Sequence, residues 1–589
     1  MHTNSQRIEE LQASLKKSIA TWEAGETSLS HLTKEEFARR HGYTPGPGDL
    51  THAERRLKSA RNYEAWKKSF DVSTAGSIDW RNNNGNFVTS VKDQGDCGSC
   101  VAFGTTATME SMARILLQRP CSGPLNYTLQ DLSPADLYYC GGRTCAEGWY
   151  PGGALTYANA KGVAPWECFP YTAGDQACQT CNLESFKKTN VGQWGVLATI
   201  EGMKYYLGYQ GPLIAVVEMP DDFKHYKRGV IQQSGYPPET NHCVSVIGYD
   251  DTRQAWLCKN SWGPGWGEGG FFWVGYGQQG IDAEMYSIQT FTQVYELPGV
   301  TWQGSDDYDK GEVPSVAMNS SYVVEVHKSQ DREDVWYRVG TAGAGFNGST
   351  QYDSGASPFV AINDNNIAVE VHKSQGEDKL WYHVGVIENN KSIAWGGSVE
   401  YDTGLFPSVA VNNAGWVVEM HQSNLRTTLW YKIGKLAPNN RITWFGGYEL
   451  GEGIQPCIAM NNLGQIIEVH QSQDKIGLWY RTGQLNTSTQ KITWGDSINY
   501  NKGYYPSVAL NDSGVVIETH QSNTDTDLWM HTGSLVMSAN QVLWTDGRTY
   551  DSGYYTRVAI NNKTQAMEVH QSQLELKIYY HIGAVTVPS

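Results

Sequence analysis

The segment from Gln94 to Ala107, QGDCGSCVAFGTTA, places a thiol where it could act as a nucleophile. Cys100 precedes a stretch with helical spacing, so its thiolate would lie near the positive end of a helix dipole. Such a position stabilises the thiolate, which is the nucleophilic form of cysteine. The side-chain amide of Gln94 and the backbone N–H of Cys100 could both donate hydrogen bonds to a developing oxyanion. The segment therefore predicts acyl-transfer chemistry at Cys100.

Two later segments, NHCVSVIGYD at 241–250 and KNSWGPGWGEGGFFWV at 259–274, extend this pattern. The three segments resemble, in the same order, the active-site segments of papain-like cysteine peptidases, and the spacing from Cys100 to His242 fits that family. Taken alone, His242 would be interpreted as a core histidine, and Cys97-x-x-Cys100 as a metal or redox pair. The combination favours the peptidase, and we expect no metal and no cofactor.

The resemblance implies a role for each residue of these segments. Cys100 would attack a peptide carbonyl to form an acyl enzyme, and His242 would protonate the leaving amine and then activate water. Asn260 would hold the imidazole in the required tautomer, and Trp262 would shield that hydrogen bond from water. Gln94, together with the Cys100 N–H, would bind the oxyanion. Protein or peptide substrates are therefore expected.

Composition limits the partners and the location of the protein. The chain has 589 residues and a formal net charge of −16, which indicates several domains and disfavours a nucleic-acid partner. No apolar run is long enough to span a membrane, and the first residues lack the apolar core of a signal peptide. All but one of the eleven cysteines lie between residues 97 and 258, which favours an oxidising environment. We expect a secreted protein or one in an acidic, lysosome-like or vacuole-like compartment.

The same resemblance implies two disulfides among these cysteines. Cys97 should bridge to Cys145, and Cys140 should bridge to either Cys178 or Cys181. Two further cysteines have no partner implied by the resemblance. They either face each other across a hairpin or remain buried free thiols, and the sequence leaves both options open for Cys243 and Cys258.

Residues 1–73 resemble an inhibitory prosegment. Apolar residues spaced by three and four predict an amphipathic helix over residues 8–22, ending at Trp22. The segment at 24–43, AGETSLSHLTKEEFARRHGY, is similar to the later part of papain-family prosegments. The resemblance implies that residues 44–73 cross the cleft in a non-productive direction and that the protein is a zymogen.

Residues 74–290 are expected to form a two-lobed α+β peptidase domain, with a linker at 291–299. A helical lobe would carry Cys100, and a β-rich lobe would carry His242 and Asn260. The resemblance implies that Gly148 offers backbone hydrogen bonds to an extended peptide. Glu147 departs from the family pattern, in which a glycine stands at this place, and it would attract a basic side chain of the substrate. Trp262 would border the cleft, and Cys243 would line the pocket for the second substrate residue.

Residues 300–589 contain six similar units at intervals of roughly 50 residues. Each unit has one histidine and, shortly afterwards, one aromatic residue. The histidines are His327, His372, His421, His470, His520 and His570, and the aromatic residues are Trp336, Trp381, Trp430, Trp479, Trp529 and Tyr579. Six units of four short strands predict an all-β, six-bladed propeller. The strand from Val300 to Trp302 precedes the first unit and has no counterpart after the last, so we expect it to complete the last blade.

Two motifs recur in these units. Glu-x-His-x-Ser, as at Glu325, His327 and Ser329, places polar residues on one face of a strand. Six such histidines could bind metal, but a buried hydrogen-bond network between strands is the favoured interpretation. Tyr-Asp-x-Gly, as at Tyr401, Asp402 and Gly404, predicts a turn, and a cluster of such turns on one rim could form ligand pockets.

The propeller is similar in outline to lectin propellers, so its expected ligand is a glycan or a protein that targets the peptidase. Two alternatives remain. The protein could be a binding protein with a vestigial peptidase, although the presence of Gln94, Cys100, His242 and Asn260 disfavours this. It could also be a transpeptidase that uses the same acyl enzyme, which the sequence does not distinguish from a hydrolase.

Overall fold

The computed structural model describes residues 4–18, 20–71, 73, 76–123, 125–179, 188–232 and 241–587. The chain divides into two compact units, Met1–Glu296 and Leu297–Ser589. None of the described helices is long and apolar enough to cross a membrane.

The first unit combines helices with one large sheet. Its helices are α1 Asn4–Lys17, α2 Lys34–Ala38, α3 His52–Ser69, α4 Cys100–Leu117, α5 Pro134–Tyr139, α6 Pro151–Lys161 and α7 Ile200–Tyr209. Its strands are β1 Trp22–Ala24, β2 Ser77–Asp79, β3 Asn190–Val191, β4 Trp194–Leu197, β5 Leu213–Glu218, β6 Tyr226–Ile231, β7 Asn241–Asp250, β8 Ala255–Lys259, β9 Phe271–Gly275, β10 Met285–Ile288 and β11 Phe291–Gln293. The sheet order is β1-β6-β9-β8-β7-β5-β10-β4, with β2 paired to β7.

Helix α4 is the central helix of this unit. Nearly every residue from Cys100 to Arg114 is buried, because the helix packs against β7 and against other helices. The helix ends at Gln118, which adopts the left-handed conformation and donates its backbone N–H to the carbonyl oxygens of Arg114 and Ile115. Because α4 packs against β7, it lies against the strand that carries His242.

The N-terminal residues fold against the same sheet. Helix α1 ends at Lys17, whereas the sequence predicted a helix as far as Trp22. Trp22 instead begins β1 and pairs with Gly229 of β6, because this pairing buries its ring against Phe223 and Tyr226. Ile19, part of the same prediction, lies outside the described residues. Helices α2 and α3 each begin with a capping box, formed by Thr33 with Glu36 and by Thr51 with Glu54.

Disulfides join Cys97 to Cys145 and Cys140 to Cys178. Cys181, the alternative partner, lies outside the described residues. Cys243 and Cys258 are buried free thiols, which is one of the two arrangements the sequence allowed. Residues 291–299, predicted as a linker, contain β11, which pairs with β3.

The second unit is a six-bladed propeller, as predicted. Its strands are β12 Gly299–Trp302, β13 Asp306–Lys310, β14 Glu312–Met318, β15 Tyr322–Lys328, β16 Asp334–Thr341, β17 Thr350–Ser354, β18 Ala356–Ile362, β19 Ile367–Lys373, β20 Lys379–Ile387, β21 Ile393–Trp395, β22 Val399–Thr403, β23 Leu405–Val411, β24 Trp416–Gln422, β25 Thr428–Ala437, β26 Arg441–Glu452, β27 Ile454–Met460, β28 Gln465–Gln471, β29 Gly477–Asn486, β30 Lys491–Trp494, β31 Ile498–Lys502, β32 Tyr504–Leu510, β33 Val515–Gln521, β34 Asp527–Val536, β35 Gln541–Trp544, β36 Arg548–Ser552, β37 Tyr554–Ile560, β38 Gln565–Gln571 and β39 Lys577–Thr586.

The propeller closes through its first strand. β12 pairs antiparallel with β39, with Val300 opposite Val585 and Trp302 opposite Gly583, in the sheet that also holds β38 and β37. The prediction that residues 300 to 302 complete the last blade is confirmed. The innermost strands β14, β18, β23, β27, β32 and β37 each contact the innermost strand of both neighbouring blades. The ends of the unit are therefore held in one sheet, which removes a free edge.

The repeated histidines belong to a buried hydrogen-bond network, as predicted. In every unit the histidine Nδ1 bonds the glutamate two residues earlier, at 2.7 to 3.1 Å. The hydroxyl of Tyr401, on β22, donates to Glu419 in the next blade at 2.9 Å, so the network links blades. Tyr401 and Asp402 lie in a short strand and not in the predicted turn, because this segment pairs with β20.

A basic residue on the third strand of a blade completes the network. Arg338 and Lys432 bond the aspartates of the preceding blade, Asp309 and Asp402, at 2.8 and 2.7 Å. His383 and His581 occupy the same position and bond their aspartates at 2.7 Å. Each of these two histidines lies in a group of one aspartate and two histidines whose potential metal-ligand atoms are within 4.8 Å of one another. The groups are Asp353, His372 and His383, and Asp551, His570 and His581. Since arginine and lysine serve at equivalent positions, the shared requirement is a hydrogen-bond donor to the aspartate.

Candidate active site

Cys100 is the first residue of α4 and is fully buried. Its Sγ accepts a hydrogen bond from the backbone N–H of Gly42, at 3.3 Å. Burial raises the pKa of the Cys100 thiol to about 11, although the N–H groups of Gly42, Cys243 and Val101 oppose the shift. The thiol is therefore neutral while the chain around Gly42 covers it.

His242 and Asn260 are brought together by the hairpin of β7 and β8. His242 lies near the start of β7, and Asn260 follows the last residue of β8. His242 Nε2 lies 2.7 Å from Asn260 Oδ1, which also accepts the N–H of Ser261 at 2.8 Å. The Trp262 ring covers the pair, with its centroid 4.6 Å from that of His242. Asn260 thus holds the tautomer that leaves Nδ1 free for proton transfer.

Burial lowers the pKa of His242 to about 4, although hydrogen bonds involving Asn260 and the Arg40 backbone oppose the shift. Both members of the thiol–imidazole pair are therefore disfavoured in their charged forms in this state. The residues needed for an ion pair are present, but the ion pair is not the favoured state while the site is covered.

Gln94 is fully buried, and its side-chain amide is held on both sides. Its Oε1 accepts the Ser261 hydroxyl at 2.6 Å, and its Nε2 donates to Cys97 O at 2.8 Å. The same Nε2 donates to the carbonyl oxygen of Arg40 at 2.9 Å. A backbone carbonyl therefore occupies the donor that an oxyanion would use.

The segment from Arg40 to Gly42 fills the catalytic centre. Arg40 is held by Asp93 at 2.9 Å and by Asp96 at 3.4 Å. The His41 ring packs edge-on against His242 and Trp262, both at 5.6 Å between centroids. Gly42 passes so close to the backbone of Gly98 that a Cβ added at Gly42 would lie 1.7 Å from the Gly98 carbonyl oxygen. Only glycine fits at this position.

The neighbouring residues pair with the backbone of Trp149. Trp149 N donates to Gly42 O at 2.7 Å, and Thr44 N donates to Trp149 O at 2.9 Å, so Tyr43 and Trp149 form a parallel bridge. The sequence assigned this role to Gly148, which adopts a φ of +66° beside the same segment. It did not indicate Trp149, because a backbone interaction leaves no side-chain signature. The Glu147 side chain is exposed.

Cys243 lies behind the catalytic centre. It is 1% exposed, and burial raises the pKa of its thiol well above the usual value. It lines a cavity of about 10 Å³ with Phe103, Gly104 and Lys259. A separate pocket is lined by Trp149, Glu284 and Tyr286 among others, and the sequence did not indicate the last two.

Comparison with known proteins places this geometry among known enzymes. Residues 74–292 match the family model described as papain family cysteine protease. Ananain from Ananas comosus is 34% identical over 206 residues, which cover 34% of this chain and 56% of ananain. Pro-cathepsin H from Medicago truncatula is 31% identical, covering 41% of this chain and 71% of that protein. The cathepsin L-like proteinase from Fasciola hepatica is 30% identical, covering 43% of this chain and 73% of that protein.

Among solved structures, digestive procathepsin L 3 from the larval midgut of Tenebrio molitor is 26% identical. The alignment covers 48% of this chain and 88% of that structure, with a TM-score of 0.37.

Proposed function

Because the chain belongs to the papain family of cysteine proteases, we propose that it is a self-inhibited endopeptidase in which residues 1–73 are the prosegment. One observation carries the proposal: the Gly42 N–H bonds the Cys100 sulfur while the Arg40 carbonyl accepts from the Gln94 amide. These contacts support the proposal because they cover the residues expected to carry out cysteine proteolysis with the protein's own chain.

Removal of the covering segment would allow the chemistry. Without it, His242 Nδ1 can take the Cys100 proton, and water together with the α4 dipole can stabilise the resulting ion pair. The thiolate then attacks the substrate carbonyl, and Gln94 and the Cys100 N–H donate to the oxyanion. His242 protonates the amine as the C–N bond breaks, and a water deprotonated by His242 releases the acyl group. Asn260 keeps the imidazole oriented through both steps.

Two experiments test this function. Acid treatment of the purified full chain should produce a new N-terminus between residues 68 and 80, read by N-terminal sequencing. The processed wild-type protein should cleave casein, and Cys100→Ala should not. Cleavage by the Cys100→Ala protein, or processing far from that interval, would contradict the proposal.

We further propose that the propeller targets the peptidase by binding a glycan or a protein. The support is its repetition: the six blades are similar, so a weak site in one unit would recur in the others, and such repetition would raise avidity without new contacts. The Cys100→Ala full chain should bind members of a glycan array or a surface-protein panel. Absence of binding to both, with activity on soluble protein intact, would refute targeting.

The oxidising environment is also a proposal. Disulfides at Cys97–Cys145 and Cys140–Cys178 support a secreted or acidic vesicular location.

A further inference from the structure

Six equivalent residues, one on each innermost strand of the propeller, face the neighbouring blade, and four of them do the same thing. Ser315, Ser408 and Ser507 each accept, through Oγ, the backbone N–H of a residue on the next innermost strand, at 3.0 to 3.3 Å. Cys457 Sγ accepts the N–H of Val508 in the same way, at 3.4 Å. A hydroxyl or thiol at this position therefore joins one innermost strand to the next.

The other two equivalent positions hold Phe359 and Arg557, the first residues after the same bulge in β18 and β37. Neither side chain offers a hydrogen-bond acceptor. Among the described residues, no side chain accepts the N–H of Val409 or of Val316, the positions equivalent to Val508. The repeat is thus broken at two places, and a cation stands at one of them.

The Arg557 side chain extends across the central channel of the propeller. Its guanidinium carbon lies 6.0 Å from the centre of the Phe359 ring. The Phe359 ring also packs against the buried cluster that contains Cys457. In the ring of innermost strands, β14 lies between β37 and β18, and β23 lies between β18 and β27. Because neither pair of strands is adjacent, both side chains must reach over the axis.

The charge of Arg557 is not balanced by a carboxylate in the part of the chain that the structure describes. Its one hydrogen bond there runs from Nη1 to the carbonyl oxygen of Thr556, at 2.9 Å. Glu312, at the start of β14, is paired with Lys328 at 3.1 Å. Burial lowers the pKa of Arg557 and raises that of the Cys457 thiol, so this thiol is neutral. Desolvated N–H groups of a cation are stabilised by an anionic acceptor.

The two ends of the channel differ in chemistry. At the end where the innermost strands finish, asparagines together with Asp364 and Asp512 line a cavity of about 70 Å³, and these carboxylates repel an anion. Near the other end, Tyr505 and Tyr555 are close enough to Arg557 to affect its pKa. Their ring centroids lie 4.4 Å apart. An anion would therefore reach Arg557 past these two rings.

We propose that the propeller binds a small ligand whose carboxylate, sulfate or phosphate group contacts Arg557 in the central channel. A planar guanidinium can bond two oxygens of such a group at once. Arg557 faces β14, as Ser507 faces β37, so the Val316 N–H is a further donor to the ligand. The Tyr505 and Tyr555 rings would contact the rest of the ligand. This site depends on one blade, so it goes beyond the repeated sites proposed for targeting and does not rest on the peptidase activity.

The repeat itself supplies matched variants. Arg557→Ser installs the residue that three other blades have at this position, and Arg557→Lys keeps the charge but loses the planar fork. Arg426 lies in an exposed turn of another blade. Arg426→Ser therefore removes the same charge outside the channel and controls for general electrostatic attraction.

The experiment is a calorimetric titration of the Cys100→Ala full chain with glucuronate, inorganic phosphate and inorganic sulfate, and with glucose as the neutral counterpart of glucuronate. At least one of the three anions should bind, and glucose should not. Arg557→Ser should weaken this binding by roughly 10- to 100-fold, because charge-assisted hydrogen bonds are lost. The affinity of Arg557→Lys should fall between these two, and Arg426→Ser should bind like the parent chain. Binding of glucuronate alone identifies an acidic sugar, and binding of phosphate or sulfate identifies a free ion; both support the site.

Three results would overturn the inference. They are the absence of binding of all three anions to the parent chain, unchanged affinity in Arg557→Ser, and an equal loss in Arg426→Ser. A melting curve of each variant shows whether it is folded. If Arg557→Ser is not, Arg557→Lys decides, and an affinity equal to that of the parent chain overturns the inference. Cleavage of casein by the processed wild type tests the proposed peptidase separately.

Discussion

Gly42→Ala should release the active site without changing any residue of the peptidase domain. A Cβ at Gly42 would lie 1.7 Å from the Gly98 carbonyl oxygen and 2.2 Å from its carbonyl carbon. Gly98 cannot move away easily, because its N–H bonds Cys145 O at 3.0 Å and its carbonyl accepts the Tyr138 hydroxyl at 2.9 Å. The prosegment must therefore shift, which breaks the contacts of Gly42 with Cys100 and Trp149.

The expected size follows from steric overpacking. Forcing a methyl group into a filled site costs about 1–3 kcal/mol. That energy raises the fraction of molecules with an open cleft by about 5- to 150-fold. Labelling of Cys100 by an epoxide thiol inhibitor, measured as an initial rate at neutral pH before processing, should rise by a similar factor.

Gly25→Ala is the control for this change. It lies in the same proposed prosegment, and its added Cβ would meet the Lys227 side chain at an ordinary 3.5 Å. It should be labelled at the wild-type rate. If Gly42→Ala is also labelled at that rate, the backbone contact at Gly98 does not hold the prosegment in the cleft.

Three further outcomes are expected. Burial lowers the pKa of His41 well below its usual value and that of His242 to about 4, so the covered site is most stable above about pH 6.5 and weakens as the pH falls toward 4. The rate at which the epoxide inhibitor labels Cys100 should rise as the pH falls over this interval, and His41→Phe should move the rise to lower pH. An unchanged pH profile in His41→Phe would exclude His41 as a cause of the pH dependence. Asn260→Ala should lower kcat by roughly 100-fold or more with little change in KM, because the imidazole loses its orientation. Steady-state kinetics measures both, and a change in KM as large as the change in kcat would contradict this prediction. Burial lowers the pKa of His383, but Asp353 and Glu370 outweigh burial, so the pKa is raised. The ion pair of His383 with Asp353 therefore stabilises the fold fully below about pH 6.5, and this stabilisation is lost as the pH rises through the raised pKa. His383→Lys, the residue type used in the next unit, should raise the melting temperature at pH 8 and not at pH 5.5, and equal effects at both values would argue against the pair.

Much of the catalytic site could be predicted from short segments. Gln94 and Cys100 are close in sequence, and the order of the later His and Asn segments supported the same chemistry. The propeller was predictable for a related reason, since six similar units must bury similar faces against one another. Its closure by Val300 to Trp302 followed from one unmatched strand.

The sequence by itself determined which chemical groups the protein has: a thiol, an imidazole, two amides and six repeated Glu–His pairs. The tertiary structure alone decided what those groups contact. Trp149 binds the chain through its backbone, which any residue type can do, and Arg55 meets Glu284 only because α3 packs against the residues just before β10. The same applies to Gly42, whose need for glycine depends on the carbonyl of Gly98. Side-chain chemistry is encoded locally, whereas proximity between distant residues depends on the path of the folded chain.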